Sequence, residues 1–124
     1  MAKTVLIVDD NEHLRRILSS ILCASGYAIV EAATGTQAIA QATSAKPNLI
    51  LIDLDLPDMM GTDVARAIKK NAKTGHIPIL GCSAYFGWEW REEALSAGMS
   101  DYLQKPVSSQ LLQEKIAEFI LLER

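Results

Sequence analysis

The sequence predicts an α/β fold, a parallel sheet with helices on both faces, and three observations carry that prediction. Short, fully apolar runs such as Val5 to Val8 and Leu49 to Ile52 read as strands buried on both faces. Longer segments between the runs repeat their apolar residues at helical spacing. The two kinds alternate, five of each, and no linker, low-complexity tract or internal repeat interrupts them.

The first strand, Val5 to Val8, is β-branched at three of four positions and stops at Asp9 and Asp10. Asn11 is placed to cap a helix in which Leu14, Ile17, Leu18, Ile21 and Leu22 follow the i, i+3, i+4, i+7, i+8 pattern, with Gly26 as its stop. Tyr27 to Val30 reads as the second strand. Thr34 with Gln37 forms a capping box that opens a helix through Ile39 and Ala42, and Pro47 ends that unit. Leu49 to Ile52, the third strand, ends in Asp53 and is followed by a turn region from Pro57 to Gly61 and a helix carrying Val64, Ala65 and Ile68. Ile77 to Cys82 gives the fourth strand, and a helix from about Glu89 to Ala97 closes at Gly98. Asp101 to Gln104 is the fifth strand, and Leu112, Ile116, Phe119 and Ile120 mark the last helix. Alternation alone does not order the strands; a doubly wound sheet of this size fits the flavodoxin-like order 2-1-3-4-5.

A chain of 124 residues with 49% hydrophobic and 22% charged side chains is expected to form one domain across residues 1–124. Twelve basic against 15 acidic side chains give a net charge of −3, with no Lys/Arg cluster longer than a pair, so no nucleic-acid partner is expected. No apolar run reaches membrane-spanning length and the N-terminal run is too short for a signal-peptide core, so the expectation is a cytoplasmic protein without a membrane partner. Cys23 and Cys82 fall in apolar segments far apart and without metal-ligand spacing, which predicts buried, reduced thiols.

In an open parallel sheet, ligands bind beyond the carboxyl ends of the strands. Here those ends carry Asp9 and Asp10 after the first strand, Asp53 after the third, Ser83 after the fourth and Lys105 after the fifth. If the first and third strands are neighbours, three carboxylates meet, and such a cluster needs a compensating cation because like charges raise one another's pKa. All-oxygen ligands suit a hard ion, so Mg2+ is the inferred cofactor. A carboxylate beside that ion can attack a phosphoryl group and form an acyl phosphate. Lys105 and the Ser83 hydroxyl would then contact the phosphoryl oxygens. Any one of these residues alone is better read as a turn former, a cap or a solvated charge. Their joint placement on one edge favours a site.

With these residues in view, the chain resembles the receiver domains of bacterial two-component response regulators, which are CheY-like, over essentially its whole length. VLIVDD is similar to the family's first strand and acidic pair. LILIDLDLPDMMG is similar to its phosphoacceptor segment, and CSA at Cys82 to Ala84 and DYLQKP at Asp101 to Pro106 are similar to its fourth- and fifth-strand signatures. The resemblance implies that Asp53 is the phosphoacceptor, Asp10 a direct magnesium ligand, Asp9 an acidic partner acting largely through water, and the Asp55 backbone carbonyl a further ligand. It implies that Ser83 and Lys105 read the phosphoryl group, that the Lys105–Pro106 peptide is cis, and that Tyr102 is an aromatic switch turning inward as Ser83 moves. It further implies a phosphorylation-dependent signalling switch rather than a turnover enzyme, with slow autodephosphorylation. The implied partners are a histidine kinase or histidine phosphotransfer protein as donor, and a protein target or a second copy on the face of the fourth helix, fifth strand and fifth helix. Because no effector segment follows the last helix, output is expected through protein contacts.

Two features depart from that pattern. Tyr85 is bulkier and less acidic than the family commonly carries there, and with Asp55 it flanks the path of a hydrolytic water; the expectation is that Tyr85 shields the acyl phosphate. Four aromatics, Tyr85, Phe86, Trp88 and Trp90, fall in six residues, read either as core and surface packing or as a partner surface. Competing functions are a phosphohydrolase, since Asp53-Leu54-Asp55 also resembles the haloacid-dehalogenase nucleophile motif, and a binding module that has lost phosphorylation. A nucleotide or flavin site is disfavoured by the lack of a Gly-rich loop after the first strand.

Overall fold

The structure, a computed structural model, describes residues 2–85 and 87–122. Strands and helices alternate along the chain: β1 (Thr4–Val8), α1 (Glu12–Ala24), β2 (Ala28–Ala32), α2 (Gly35–Ala45), β3 (Leu49–Ile52), α3 (Gly61–Lys70), β4 (Ile79–Ser83), α4 (Trp88–Ser96), β5 (Asp101–Gln104) and α5 (Ser109–Leu122). All strand pairs are parallel and their order is β2-β1-β3-β4-β5. The α/β class and the flavodoxin-like order predicted from the sequence are both observed.

The apolar runs work because each strand buries both faces. Leu6, Val8, Ile50 and Ile52 point into one core shared with Ala38, Val64 and Ile68 of α2 and α3. Val5, Ile7, Leu49 and Leu51 point into the other, against Leu18 and Leu22 of α1 and Leu112 and Ile116 of α5. Burying a Leu or Ile side chain contributes roughly 2 kcal/mol relative to exposure, which lets strands of four or five residues keep a fixed register. That register sets Val8 beside Ile52, and Ser83 beside Gln104.

The helix ends follow the predicted chemistry. The Asn11 side chain accepts a hydrogen bond from the Leu14 amide at 3.0 Å. Gly26, at φ 100°, closes α1: its amide donates to Cys23 O at 3.0 Å and the Tyr27 amide to Leu22 O at 3.2 Å. Thr34 Oγ1 accepts from the Gln37 amide at 3.1 Å, and Gln37 returns to the Ala33 amide at 2.8 Å.

Three sequence expectations need correction. Cys23 is exposed rather than buried, because it lies just off the apolar stripe of α1, while Cys82 is a buried free thiol as expected. The fourth strand begins at Ile79, not Ile77: the Ile77 amide closes a turn onto Thr74 O at 3.1 Å and Pro78 has no amide hydrogen to give. The second strand runs from Ala28 to Ala32 rather than from Tyr27 to Val30, because the Tyr27 amide is spent on the α1 cap. No helix among the described residues is long and apolar enough to cross a membrane.

Candidate functional site

The strand order brings the acidic tips together. Asp53 N donates to Val8 O at 2.9 Å and Asp9 N to Ala32 O at 3.1 Å, so the sheet ladder continues one residue past β1 and β3 and delivers both aspartates to the same edge. Lys105 N donates to Ser83 O at 2.8 Å and extends β5 in the same way. Carboxylate oxygens of Asp9, Asp10 and Asp53 all lie within 4.8 Å of one another. Lys105 Nζ reaches between two of them, 2.9 Å from Asp9 Oδ2 and 3.2 Å from Asp53 Oδ2. The Lys105–Pro106 peptide is cis.

The electrostatics follow from one ammonium between two carboxylates, with a third carboxylate close by. Burial pushes the Asp53 carboxyl above its ordinary pKa; the charge of Lys105 and the Asp55 amide only partly offset this, and Asp9 adds to it. Burial would lower the Lys105 amine, but its hydrogen bond to Asp9 and the charges of Asp53 and Asp9 hold it above the usual lysine value. Burial thus prevails at Asp53, whereas at Lys105 the facing carboxylates outweigh it. The donors are all oxygen; the nearby Cys82 is pushed up to about 11, chiefly by burial, and stays a neutral thiol. Such a cluster fits a hard divalent ion such as Mg2+.

The remaining predicted residues surround the cluster. Asp9 is buried and its Oδ1 accepts the Asn11 amide at 2.9 Å, which leaves the exposed Asp10 as the carboxylate open to solvent. The Asp55 amide donates to Asp53 Oδ1 at 3.3 Å, while its own carboxylate stays outside the acidic trio. Ser83 is buried at the end of β4, its Oγ accepting the Tyr85 amide at 3.3 Å. Tyr102 stands inward, buried, and its hydroxyl donates to the Tyr85 carbonyl. Burial, chiefly, raises the pKa of that hydroxyl, with a hydrogen bond to Ser83 working the other way. Gly61 opens α3 directly over this edge: a Cβ there would collide with Asp53 O and lie 2.9 Å from Leu54 Cα, so only glycine lets the helix approach the loop after Asp53 so closely.

The aromatic segment divides. Trp90 is half-buried and stacks on Tyr85, whereas Trp88 is 72% exposed, and Phe86 lies outside the described residues. Packing and surface exposure thus both occur within one helix turn.

Several supporting residues were not read from the sequence. Arg15 Nη1 donates to Asp9 O at 2.7 Å while its Nε pairs with Glu31 at 2.7 Å, tying α1 and β2 to the acidic loop. Its position one turn after the acidic pair was the available signal. Asp58 caps α2 from another loop, accepting from the Gly35 and Thr36 amides at 2.8 and 2.9 Å. Asp101 binds both Arg91 of α4 and Lys115 of α5, tying the two helix layers together at the β5 edge of the sheet.

Comparison with known proteins points one way. Residues 5–117 match the family described as the response regulator receiver domain. The polar-differentiation response regulators DivK of Brucella ovis and Brucella abortus are 31% identical over 120 residues, covering 97% of this chain and 98% of theirs. Among solved structures, the CheY-like receiver domain protein of Methanospirillum hungatei superposes with a TM-score of 0.91 at 32% identity, covering 99% of this chain and 97% of its own. The receiver domain of a sensor histidine kinase from Pseudomonas aeruginosa, with a magnesium ion coordinated in its active-site cleft, gives 0.89 at 31% identity over 97% of this chain and 98% of its own.

Proposed function

The chain belongs to the response regulator receiver domain family, whose members accept a phosphoryl group on aspartate in two-component signalling, and on that premise we propose that Asp53 is the acceptor here. The observation that carries this reading is the convergence at Asp53: an ammonium 3.2 Å from its carboxylate and two further aspartates within 4.8 Å. A donor histidine kinase or histidine phosphotransfer protein presents a phosphohistidine. An Asp53 carboxylate oxygen bonds to phosphorus as the phosphorus–nitrogen bond breaks, and the imidazole leaves with the electron pair. Lys105 offsets charge on the phosphoryl oxygens, and Ser83 donates its hydroxyl hydrogen to one of them. Asp9, Asp10 and Asp53, with the Asp55 carbonyl, would hold Mg2+, which when bound supplies the positive charge that lets anionic donor and acceptor meet.

The rest of the chain fits that role. An apolar cleft of about 400 Å3 between α1 and α5, lined by Leu14, Ile17, Leu18, Pro106 and Leu112, has Lys105 in its wall. A donor helix laid there delivers its phosphoryl group at the acidic edge. Tyr102 hydrogen-bonds on one side to the loop that follows Ser83. Contacts between Ser83 and the phosphoryl group therefore bias Tyr102 and the face of α4, β5 and α5 toward one packing, and a protein target or second copy reads it. Residues 1–124 act as a single receiver domain, a switch that turns over only its own phosphoryl group, slowly, with Tyr85 shielding the adduct.

Intact mass measurement after incubation with acetyl phosphate and Mg2+ tests the assignment. Wild type gains one phosphoryl group in a chelator-sensitive manner and Asp53→Ala gains none. An adduct of equal yield in Asp53→Ala sinks it, and sustained hydrolysis of small phosphomonoesters favours the phosphohydrolase instead.

A further inference from the structure

Tyr85 and Trp90 form a ring pair that the chemistry above does not employ. Their centroids are 4.5 Å apart and their planes are inclined by 20°. Tyr85 lies on the loop between β4 and α4, and α4 starts after Gly87, at φ 109°, with no side-chain cap. The Tyr85 backbone is anchored at both ends, its amide to Ser83 Oγ and its carbonyl by the Tyr102 hydroxyl. Neither bond sets the direction of the ring, because both act on main-chain atoms. The indole of Trp90 does set it, by closing one face of the ring.

That direction matters at the other end of the phenol. The hydroxyl lies against the Asp55 carboxylate, whose charge, together with burial, a hydrogen bond and the charge of Asp53, holds the phenol above its ordinary pKa. With its amide on Ser83 Oγ and its phenol interacting with Asp55, Tyr85 therefore borders the loop that begins at Asp53. We propose that Trp90 is a positioning residue of the phosphorylation site: stacked on Tyr85, it keeps that ring across the approach to Asp53 and prolongs the life of the aspartyl phosphate. This rests on the reading of Asp53 as acceptor. In the step concerned, a water oxygen bonds to phosphorus while the phosphorus–oxygen bond to Asp53 breaks. The carboxylate leaves with the electron pair, and the water protons pass to the released phosphate and to solvent. Trp90 touches none of these atoms; it acts by keeping Tyr85 where water must pass.

Trp88 supplies the internal control, being on the same helix but exposed and outside the stack. The experiment loads each variant with acetyl phosphate and Mg2+, removes the donor, and follows the aspartyl phosphate by intact mass. Trp90→Ala shortens its half-life about fivefold, equivalent to about 1 kcal/mol at a factor of ten per 1.36 kcal/mol, the scale of one ring stack. Trp90→Phe restores it, Trp88→Ala leaves it unchanged, and Trp90→Ala adds nothing in a Tyr85→Ala background. Trp90→Leu, which keeps apolar contact with the core but no ring, behaves as Trp90→Ala and stands in for it if the alanine variant does not fold. A half-life in Trp90→Leu equal to wild type, a phenylalanine variant as short-lived as the leucine one, or additive effects with Tyr85→Ala overturn the inference alone. A wild type that takes up no phosphoryl group at Asp53 overturns the underlying reading and this inference with it.

Discussion

Replacing Lys105 with methionine isolates the role of the one ammonium at the acidic edge. Methionine keeps an unbranched apolar stem of similar reach, so packing survives while charge is removed. In the native protein Nζ lies 2.9 Å from Asp9 Oδ2 and 3.2 Å from Asp53 Oδ2, and those two side chains are only 4% and 11% exposed. At an effective dielectric of about 20, a single contact of this length is worth about 5 kcal/mol of Coulomb attraction. Much of that is offset by the desolvation of the partners. Removing one member of a largely buried pair costs about 3 to 5 kcal/mol. Lys105 is itself 20% exposed, so water takes up part of the orphaned charge. The expected loss is therefore about 2 to 3 kcal/mol, or roughly a 10 °C fall in melting temperature for a chain of this length. Urea unfolding followed by circular dichroism at pH 7 in chelator reads the loss directly. Adding Asp53→Asn in the Lys105→Met background removes one of the two stranded anions and recovers at least about 1 kcal/mol. A Lys105→Met protein within about 0.5 kcal/mol of wild type, well inside ordinary surface-substitution effects, or no recovery from Asp53→Asn, refutes the reasoning.

Asp53→Asn alone stabilises the metal-free protein at pH 7. Because the folded protein holds the Asp53 carboxyl above its ordinary value of 3.8, it binds that proton more tightly than the unfolded chain, and native stability falls as pH rises through the carboxylate range. The gain over wild type, measured by urea unfolding, therefore shrinks as pH is lowered toward 4; a gain independent of pH contradicts this. Asp58 shows the opposite sign. Its three hydrogen bonds from Thr36 Oγ1 and the Gly35 and Thr36 amides hold its pKa down at about 2, so its contribution is present above the unfolded value of 3.8 and is lost as pH falls through the folded one. Asp58→Ala speeds hydrogen exchange at the Gly35 and Thr36 amides and leaves the Gln37 amide, capped by Thr34, protected; equal loss at all three sites argues against a local cap. Gly61→Ala costs about 2 to 3 kcal/mol by overpacking and lowers the yield of the acetyl phosphate adduct, because the added methyl meets Asp53 and Leu54 backbone that cannot step aside. Gly81→Ala, whose methyl meets the Met99 and Tyr102 side chains instead, costs less; the reverse order in urea unfolding contradicts the contact geometry.

The strands and the acidic edge were legible because both follow from local pattern plus one rule of topology. Two-sided burial leaves an apolar run with no helical reading, and the carboxyl ends then name the residues that the sheet brings together. What could not be read depends on packing between distant elements. Cysteine is apolar enough to join either side of a helical stripe, so only the docked α1 shows Cys23 outward. Ile77 and Pro78 look like strand until the Thr74 turn claims the Ile77 amide. Asp101 appears as an ordinary strand residue; its ion pairs exist only once α4 brings Arg91 and α5 brings Lys115 to the same strand end. Trp88 and Trp90 are indistinguishable by composition. A two-residue step on a helix turns one toward Tyr85 and the other to solvent.

Stability and activity pull in opposite directions at this edge, and the cores decide the outcome. Nothing in the acidic trio attracts its own members; the Lys105 ammonium, with the Asn11 and Asp55 amides, opposes their repulsion. They stay together because Val8 and Ile52 are neighbours in register and buried in the same core, as are Leu6 and Ile50, so separating the aspartates means opening the centre of the sheet. Apolar burial at the middle of the strands thus sustains an unfavourable charge arrangement at their tips. A divalent cation held there would relieve that repulsion, with the carboxylate geometry fixed before it arrives. The same logic singles out the residue that continues β3 for the proposed acceptor role: one position further along, Leu54 points into the core, and Asp55 falls outside the trio.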